Sequence, residues 1–211
     1  MKIIDAGFQI LSHIDGNQIL KDLEYIARTC YKSEELITDC SAEKMVKSLL
    51  SRGHEAMLEH HSFSVKFIVD RGVSHEIVRH RLASFAQEST RYCNYSKDKF
   101  GNEITVIRPC FFDEDTENYR LWKSSCEAAE RAYFSMLDND AAPQEARSVL
   151  PNSLKTEICM TANLREWRHF FKLRAEGTTG RPHPQMSEVT APLLAEIKRC
   201  IPVIFDDICV K

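Results

Sequence analysis

The sequence predicts an α+β fold: a single domain over residues 1–211, with a mainly antiparallel sheet flanked by helices. Three observations carry this reading. Short runs such as "FSVKFIV" (63–69) alternate apolar and polar residues, the two-residue period of half-buried strands. Longer runs such as "NQILKDLEYIARTC" (17–30) have the three- and four-residue spacing of amphipathic helices. Repeats, low-complexity runs and long linkers are absent, and 211 residues at 43% hydrophobic suffice to bury one sizeable core.

In chain order, Ile19, Leu20, Leu23, Ile26, Ala27 and Cys30 mark the buried face of the first helix. "SAEKMVKSLLSRG" predicts a helix that starts near Ser41 and stops at Gly53. Phe63, Val65, Phe67 and Val69 face the core from a strand, and Asp70-Arg71-Gly72 turns the chain. Val73, Ile77, Leu82 and Phe85 then resume helical spacing, which places Arg79, His80 and Arg81 late on a short helix. "NEITVIRP" reads as a strand and "NYRLWKSSCEAAERAYFSML" as a long helix. Pro143 suits the first turn of a helix that holds Arg147. "SLKTEICMTA" reads as a strand, and Asn163 with Glu166 three residues on resembles a capping box opening "LREWRHFFKLRA". "SEVTAPLLAEIKRC" forms the last helix, with Pro192 a weak point.

Composition narrows the function. The 28 basic and 31 acidic residues leave a formal charge of −3, without the wide basic face that nucleic-acid binding needs. No window has the roughly eighteen apolar residues of a membrane span, and "MKIIDAGFQI" does not resemble a signal peptide, so the expected location is cytoplasmic. The eight cysteines form no C-x-x-C pair, and several, such as Cys30, Cys126 and Cys200, occupy apolar helix positions. They read as reduced, buried thiols. The histidine spacings of His54, His60, His61 and of His75, His80 match no metal signature, so no metal is expected.

Positive charge is concentrated in "RHRLASFAQESTRY" (79–92). Arg79, Arg81 and Arg91 have only Glu76 and Glu88 as nearby acids. Clustered guanidinium groups repel unless an anion joins them, and they take phosphate as planar forks. Ser84, Gln87, Ser89 and Thr90 supply polar groups to complete such a shell. Gly-rich dinucleotide and P-loop motifs are absent.

The pattern R-H-R-x-x-S-x-x-x-x-S-x-R-Y, on Arg79, His80, Arg81, Ser84, Ser89, Arg91 and Tyr92, resembles the signature of the flavin-dependent thymidylate synthases. "GHEAMLEHHSF" (53–63), "ARSVLP" (146–151) and "ANLREWRHFFKLR" (162–174) resemble three further elements of that family. The resemblance implies conversion of dUMP to dTMP, with 5,10-methylenetetrahydrofolate as carbon donor, reduced FAD as hydride donor and NADPH reloading the flavin. It assigns FAD contacts to His54, Arg79, His80, Arg81, Gln87, Asn163, Arg165 and His169. It assigns dUMP contacts to Glu76, Arg79, Gln87, Glu88, Ser89, Thr90, Arg91, Arg147 and Arg174, with Arg174 the catalytic, activating arginine. It further implies a homotetramer whose active sites are shared between subunits.

Arg174 suits its role because it stabilises negative charge spreading over a uracil ring without changing its own protonation. Ser89 reads as a binding hydroxyl, since a nucleophilic serine needs an adjacent base and the sequence supplies no clear one. The chain departs from the family at several places. Glu76 stands for Gln, Ala56 for Ser or Thr, Ala86 for Asn and His169 for Asn, and the 175–186 loop is longer, with His183-Pro184-Gln185 the counterpart of H-A-Q. Two rivals compete: a non-catalytic flavin- or nucleotide-binding protein of the same fold, and a metal-dependent hydrolase built on the histidines.

Overall fold

The computed structural model describes residues 1–97 and 101–210. Two compact units are assembled from interleaved segments of the chain. The first comprises Met1–Phe8, Lys66–Arg79 and Phe85–Cys159, and the second Gln9–Val65, His80–Ser84 and Met160–Lys211. Strands β2 (Gly7–Ile10), β3 (Ser62–Asp70), β6 (Lys155–Asn163) and β4 (Ala83–Gln87) form an antiparallel sheet in the order β2-β3-β6-β4. The α+β expectation therefore holds. A separate parallel pair joins β1 (Lys2–Ile4) to β5 (Thr105–Ile107), with Ile3 opposite Val106.

In the first unit, α3 (Arg71–Ile77), α4 (Glu117–Asp138) and α5 (Pro143–Ala146) accompany the strands. Thr116 caps α4 by accepting from the Tyr119 amide. Tyr95, Ile104, Val106, Cys126, Tyr133, Ala146 and Leu154 form the core, with Met1, Ile3 and Trp122 packed against it. The second unit holds α1 (Gly16–Thr29), α2 (Ser41–Ser51), α6 (Leu164–Phe171) and α7 (Pro184–Cys200). Asp15 caps α1, and the face of Ile19, Leu20, Leu23 and Ala27 is buried as its spacing predicts. Gly16 is required there, because a Cβ would lie 2.0 Å from the Cys200 carbonyl oxygen. Trp167 stacks on Phe63 at 4.7 Å and meets Phe170 and Phe171, all fully buried.

The alternation in β3 is as predicted: Phe63, Val65, Phe67 and Val69 are buried. Four expectations need correction. Arg71 and Gly72 are not a separate turn but the first residues of a helix. Asp70 Oδ1 accepts from the Val73 amide at 2.6 Å and starts α3 at Arg71. Arg79, His80 and Arg81 are not on a helix: α3 ends at Ile77, and they lie in the turn before β4. Leu82, placed on the buried face by its spacing, is 75% exposed. Finally, Cys126 is buried, but Cys30, Cys40, Cys110 and Cys209 are exposed. Cys30 lies just past the end of α1, as its C-terminal capping residue. All eight are thiols rather than disulfides, and burial pushes the Cys126 thiol up to about 11.

Candidate active site

The predicted site residues fall into two groups, one in each unit. In the first unit, the end of β4 and the loop after it carry Gln87 through Arg91. Gln87 Nε2 donates to Ser74 Oγ at 2.9 Å and to Thr156 Oγ1 at 3.2 Å. Glu88 faces Lys155 Nζ at 2.9 Å and accepts from the Tyr95 hydroxyl at 3.3 Å. Ser89 Oγ accepts from the Arg91 amide at 3.3 Å, and the Arg91 guanidinium lies 5.5 Å from the Tyr92 ring centre. No base is hydrogen-bonded to Ser89 Oγ among the described residues.

Arg147, at the end of α5, donates from Nη1 to Thr90 Oγ1 at 3.3 Å. Both residues line a concavity of ≈ 470 Å³ with Arg71, His75, Gln144 and Ser148. Two guanidinium groups, an imidazole and hydroxyls around one opening suit a small dianion such as a phosphate ester. Arg71 and His75 were missed from the sequence. Arg71 sits in a run read as a turn, and its Nη1 lies 3.3 Å from the Glu88 carbonyl oxygen and 3.5 Å from Thr156 Oγ1. The cap at Asp70 brings it there, by making Arg71 the first residue of α3. Arg79 is exposed, and its guanidinium has no hydrogen-bonded or charged partner among the described residues. Glu76 lies half-buried on α3.

In the second unit, the turn after α3 delivers His80, 3% exposed, against α6 and the π-helical turn Lys172–Glu176 that continues it. Arg174 Nε donates to His80 Nε2 at 3.2 Å. On the other side of the ring, Nδ1 lies 3.2 Å from Glu166 Oε1. Phe170 meets the ring edge-on at 4.9 Å, and His169 does so at 5.6 Å. Burial, then the charges of Arg174 and His169, lower the His80 pKa to about 4. Burial raises that of Glu166. The Asn163 side chain caps α6 by accepting from the Glu166 amide at 2.9 Å. The capping box is thus half made, because the Glu166 carboxylate turns to His80. The contacts of His80 with Arg174 and Glu166 were not legible in the motif, since these partners lie 94 and 86 residues away.

His54, Arg81, Arg165 and His169 are exposed in the same unit. Arg165 pairs with Glu59 at 2.5 Å, and the Arg81 guanidinium has no such partner among the described residues. His80, Glu166 and His169 bring three possible ligand atoms within 4.8 Å of one another. The arrangement opposes a cation. Arg174 adds positive charge to the same ring and occupies Nε2, so Nδ1 would have to lose its proton to a nitrogen already in use.

Residues 9–203 match the family model of the thymidylate synthase complementing proteins. The chain belongs to that family. Among its relatives, the flavin-dependent thymidylate synthase of Geobacter sulfurreducens is 33% identical over 188 residues, covering 86% of this chain and 78% of the relative. That of Pyrococcus furiosus is 32% identical over 178 residues, covering 84% and 71%. Flavin dependence is thus a property of the family's named members. The fold is also similar to a UMP/dUMP methylase, PolB from Streptomyces cacaoi, bound with 5-Br dUMP. The TM-score is 0.80 at 19% identity, over 98% of this chain and 96% of that one, a likeness of fold.

Proposed function

We propose that this protein is a flavin-dependent thymidylate synthase, one catalytic domain over residues 1–211 that methylates dUMP to dTMP. The carbon comes from 5,10-methylenetetrahydrofolate, and NADPH is the reductant. The observation that carries the reading is the pairing of family membership with Arg174, held at Nε by a buried neutral imidazole. Tethering Nε restricts the plane of the guanidinium, so the cation meets an electron-rich uracil in one orientation. The buried ring remains an acceptor at neutral pH, since its pKa is near 4. A protonated ring there would repel Arg174 and lose that acceptor.

The dUMP phosphate belongs with the first unit's arginines, in the concavity of Arg71, Thr90 and Arg147, with Arg79, Ser89 and Arg91 as further donors. Gln87, Glu76 and Glu88 complete the nucleotide group. The second unit's donor set fits FAD. The exposed guanidinium of Arg81 suits its pyrophosphate, and the exposed rings of His54 and His169 suit its ring system, with Asn163 and Arg165 beside them. Bound FAD would supply the hydride; the protein positions the substrate and excludes water. Ala56 offers no hydroxyl for such contacts, which leaves its backbone. The homotetramer with shared sites, and a cytoplasmic location, belong to the same reading. No helix among the described residues is long and apolar enough to cross a membrane.

The deciding experiment is anaerobic. Dithionite-reduced protein is mixed with methylenetetrahydrofolate with and without dUMP, and dTMP is measured. Formation of dTMP only with dUMP is expected. Flavin bands without dUMP-dependent oxidation would instead leave a binding protein of the same fold, and bound zinc in a colourless protein would indicate a hydrolase.

A further inference from the structure

We propose that Glu166 is a positioning residue for Arg174, acting through the tautomer of His80. The inference rests on the synthase reading for its catalytic consequence and on geometry alone for the hydrogen-bond chain. A neutral imidazole has one donor and one acceptor nitrogen. Arginine Nε is always a donor, so His80 Nε2, 3.2 Å away, must accept. The ring proton then sits on Nδ1, which donates to Glu166 Oε1 at 3.2 Å. Glu166 and His80 are 5% and 3% exposed, so water is a poor substitute at either nitrogen. The edge contacts of Phe170 and His169 limit rotation of the ring.

Remove the carboxylate and the balance reverses. A buried Nδ1–H without an acceptor is costly, and the proton is better placed on Nε2. There it would face the Arg174 Nε–H, donor against donor, and Arg174 would leave its place. Of the other basic side chains of α6, His169 lies against the same ring, and the two arginines are engaged elsewhere. Arg168 turns instead to Asp207 and Glu55, and Arg165 to Glu59.

The test compares Glu166→Leu and Glu166→Gln with the wild type. Glutamine keeps an oxygen that accepts from Nδ1–H; leucine does not. For dUMP-dependent dTMP formation, leucine should lower kcat on the order of 10- to 100-fold, with FAD content little changed. Glutamine should stay within about threefold of the wild type, within the scatter expected when a hydrogen bond is conserved. Histidine ¹⁵N NMR gives a second readout that needs no turnover. The wild-type and glutamine proteins should show His80 protonated at Nδ1, and leucine should shift the proton to Nε2. A wild-type ring protonated at Nε2, or equal loss of kcat in both variants, would overturn the proposal. If leucine fails to fold, the glutamine kinetics and wild-type tautomer still decide. A wild type that forms no dTMP while showing the Nδ1–H ring would refute the synthase reading and leave the Glu166–His80–Arg174 chain standing.

Discussion

At the residue scale, a planar cation and a point charge separate at Arg174. Lysine in its place keeps the charge but has no Nε and no fork to hold against His80. Arg174→Lys should retain FAD, seen by its absorbance, and lose turnover by about two orders of magnitude. Near-normal dTMP formation would remove Arg174 from the chemistry. His80 also leaves a mark on stability. Its folded pKa is about 4, whereas an unfolded histidine takes a proton below about 6.5. Stability from this group is therefore lost as pH falls from about 6.5 to about 4, by at most about 3 kcal/mol. Glu166 opposes it in part, because its raised pKa favours the folded state towards low pH. His80→Asn should lose less stability than the wild type between pH 6.5 and 4.5 in urea denaturation. Equal losses would show that His80 does not drive that dependence. The motif singled out Arg79, His80 and Arg81 as candidates, but did not show that His80 is buried while its two neighbours are exposed. Burial here depends on packing against distant α6, which local residue types do not encode.

At the element scale, legibility followed periodicity and failed where two periods coincide. The helix spacing of Ile19 to Ala27 and the strand spacing of Phe63 to Val69 were each unambiguous, and both elements form. Val73, Ile77, Leu82 and Phe85 are spaced like one helix face, yet α3 stops at Ile77 and Phe85 lies in a strand. The three-residue β1 and four-residue β2 are too short for their own alternation to stand out. The cap at Asn163 was legible, whereas the anchor of α6 was not. Arg168 is 3% exposed and makes paired hydrogen bonds of 2.7 Å to Asp207, with Glu55 at 3.2 Å. It also donates to the Ile204 carbonyl. Asp207 itself is half-exposed, and Glu55 remains if it is lost, so Asp207→Ala should destabilise by about 1–3 kcal/mol. The shift in the urea midpoint measures this; an unchanged midpoint would show that Glu55 and the carbonyl suffice.

At the scale of the whole molecule, the proposed site residues are drawn from both units of the chain: Gln87 to Arg91 and Arg147 from the first, and His54, His80, Arg81, Asn163, Arg165, His169 and Arg174 from the second. If subunits share sites, as the synthase reading holds, Arg91 and Arg174 reach one dUMP from different chains. Arg91→Ala and Arg174→Ala proteins should each be nearly inactive. Co-expressed, they should recover activity, with about a quarter of the sites whole under random two-chain pairing across symmetric interfaces. Silent mixed oligomers, verified by mass, would assign both arginines to one chain. The uneven exposure of the cysteines has a different use. Cys30, Cys40, Cys110 and Cys209 are exposed, while Cys126 lies in the core of the first unit with its thiol held protonated. An alkylating reagent should therefore mark the four exposed thiols early and Cys126 only when that core opens. The delay, read peptide by peptide in a mass spectrometer, would serve as a built-in clock for breathing of the native protein, with no label added.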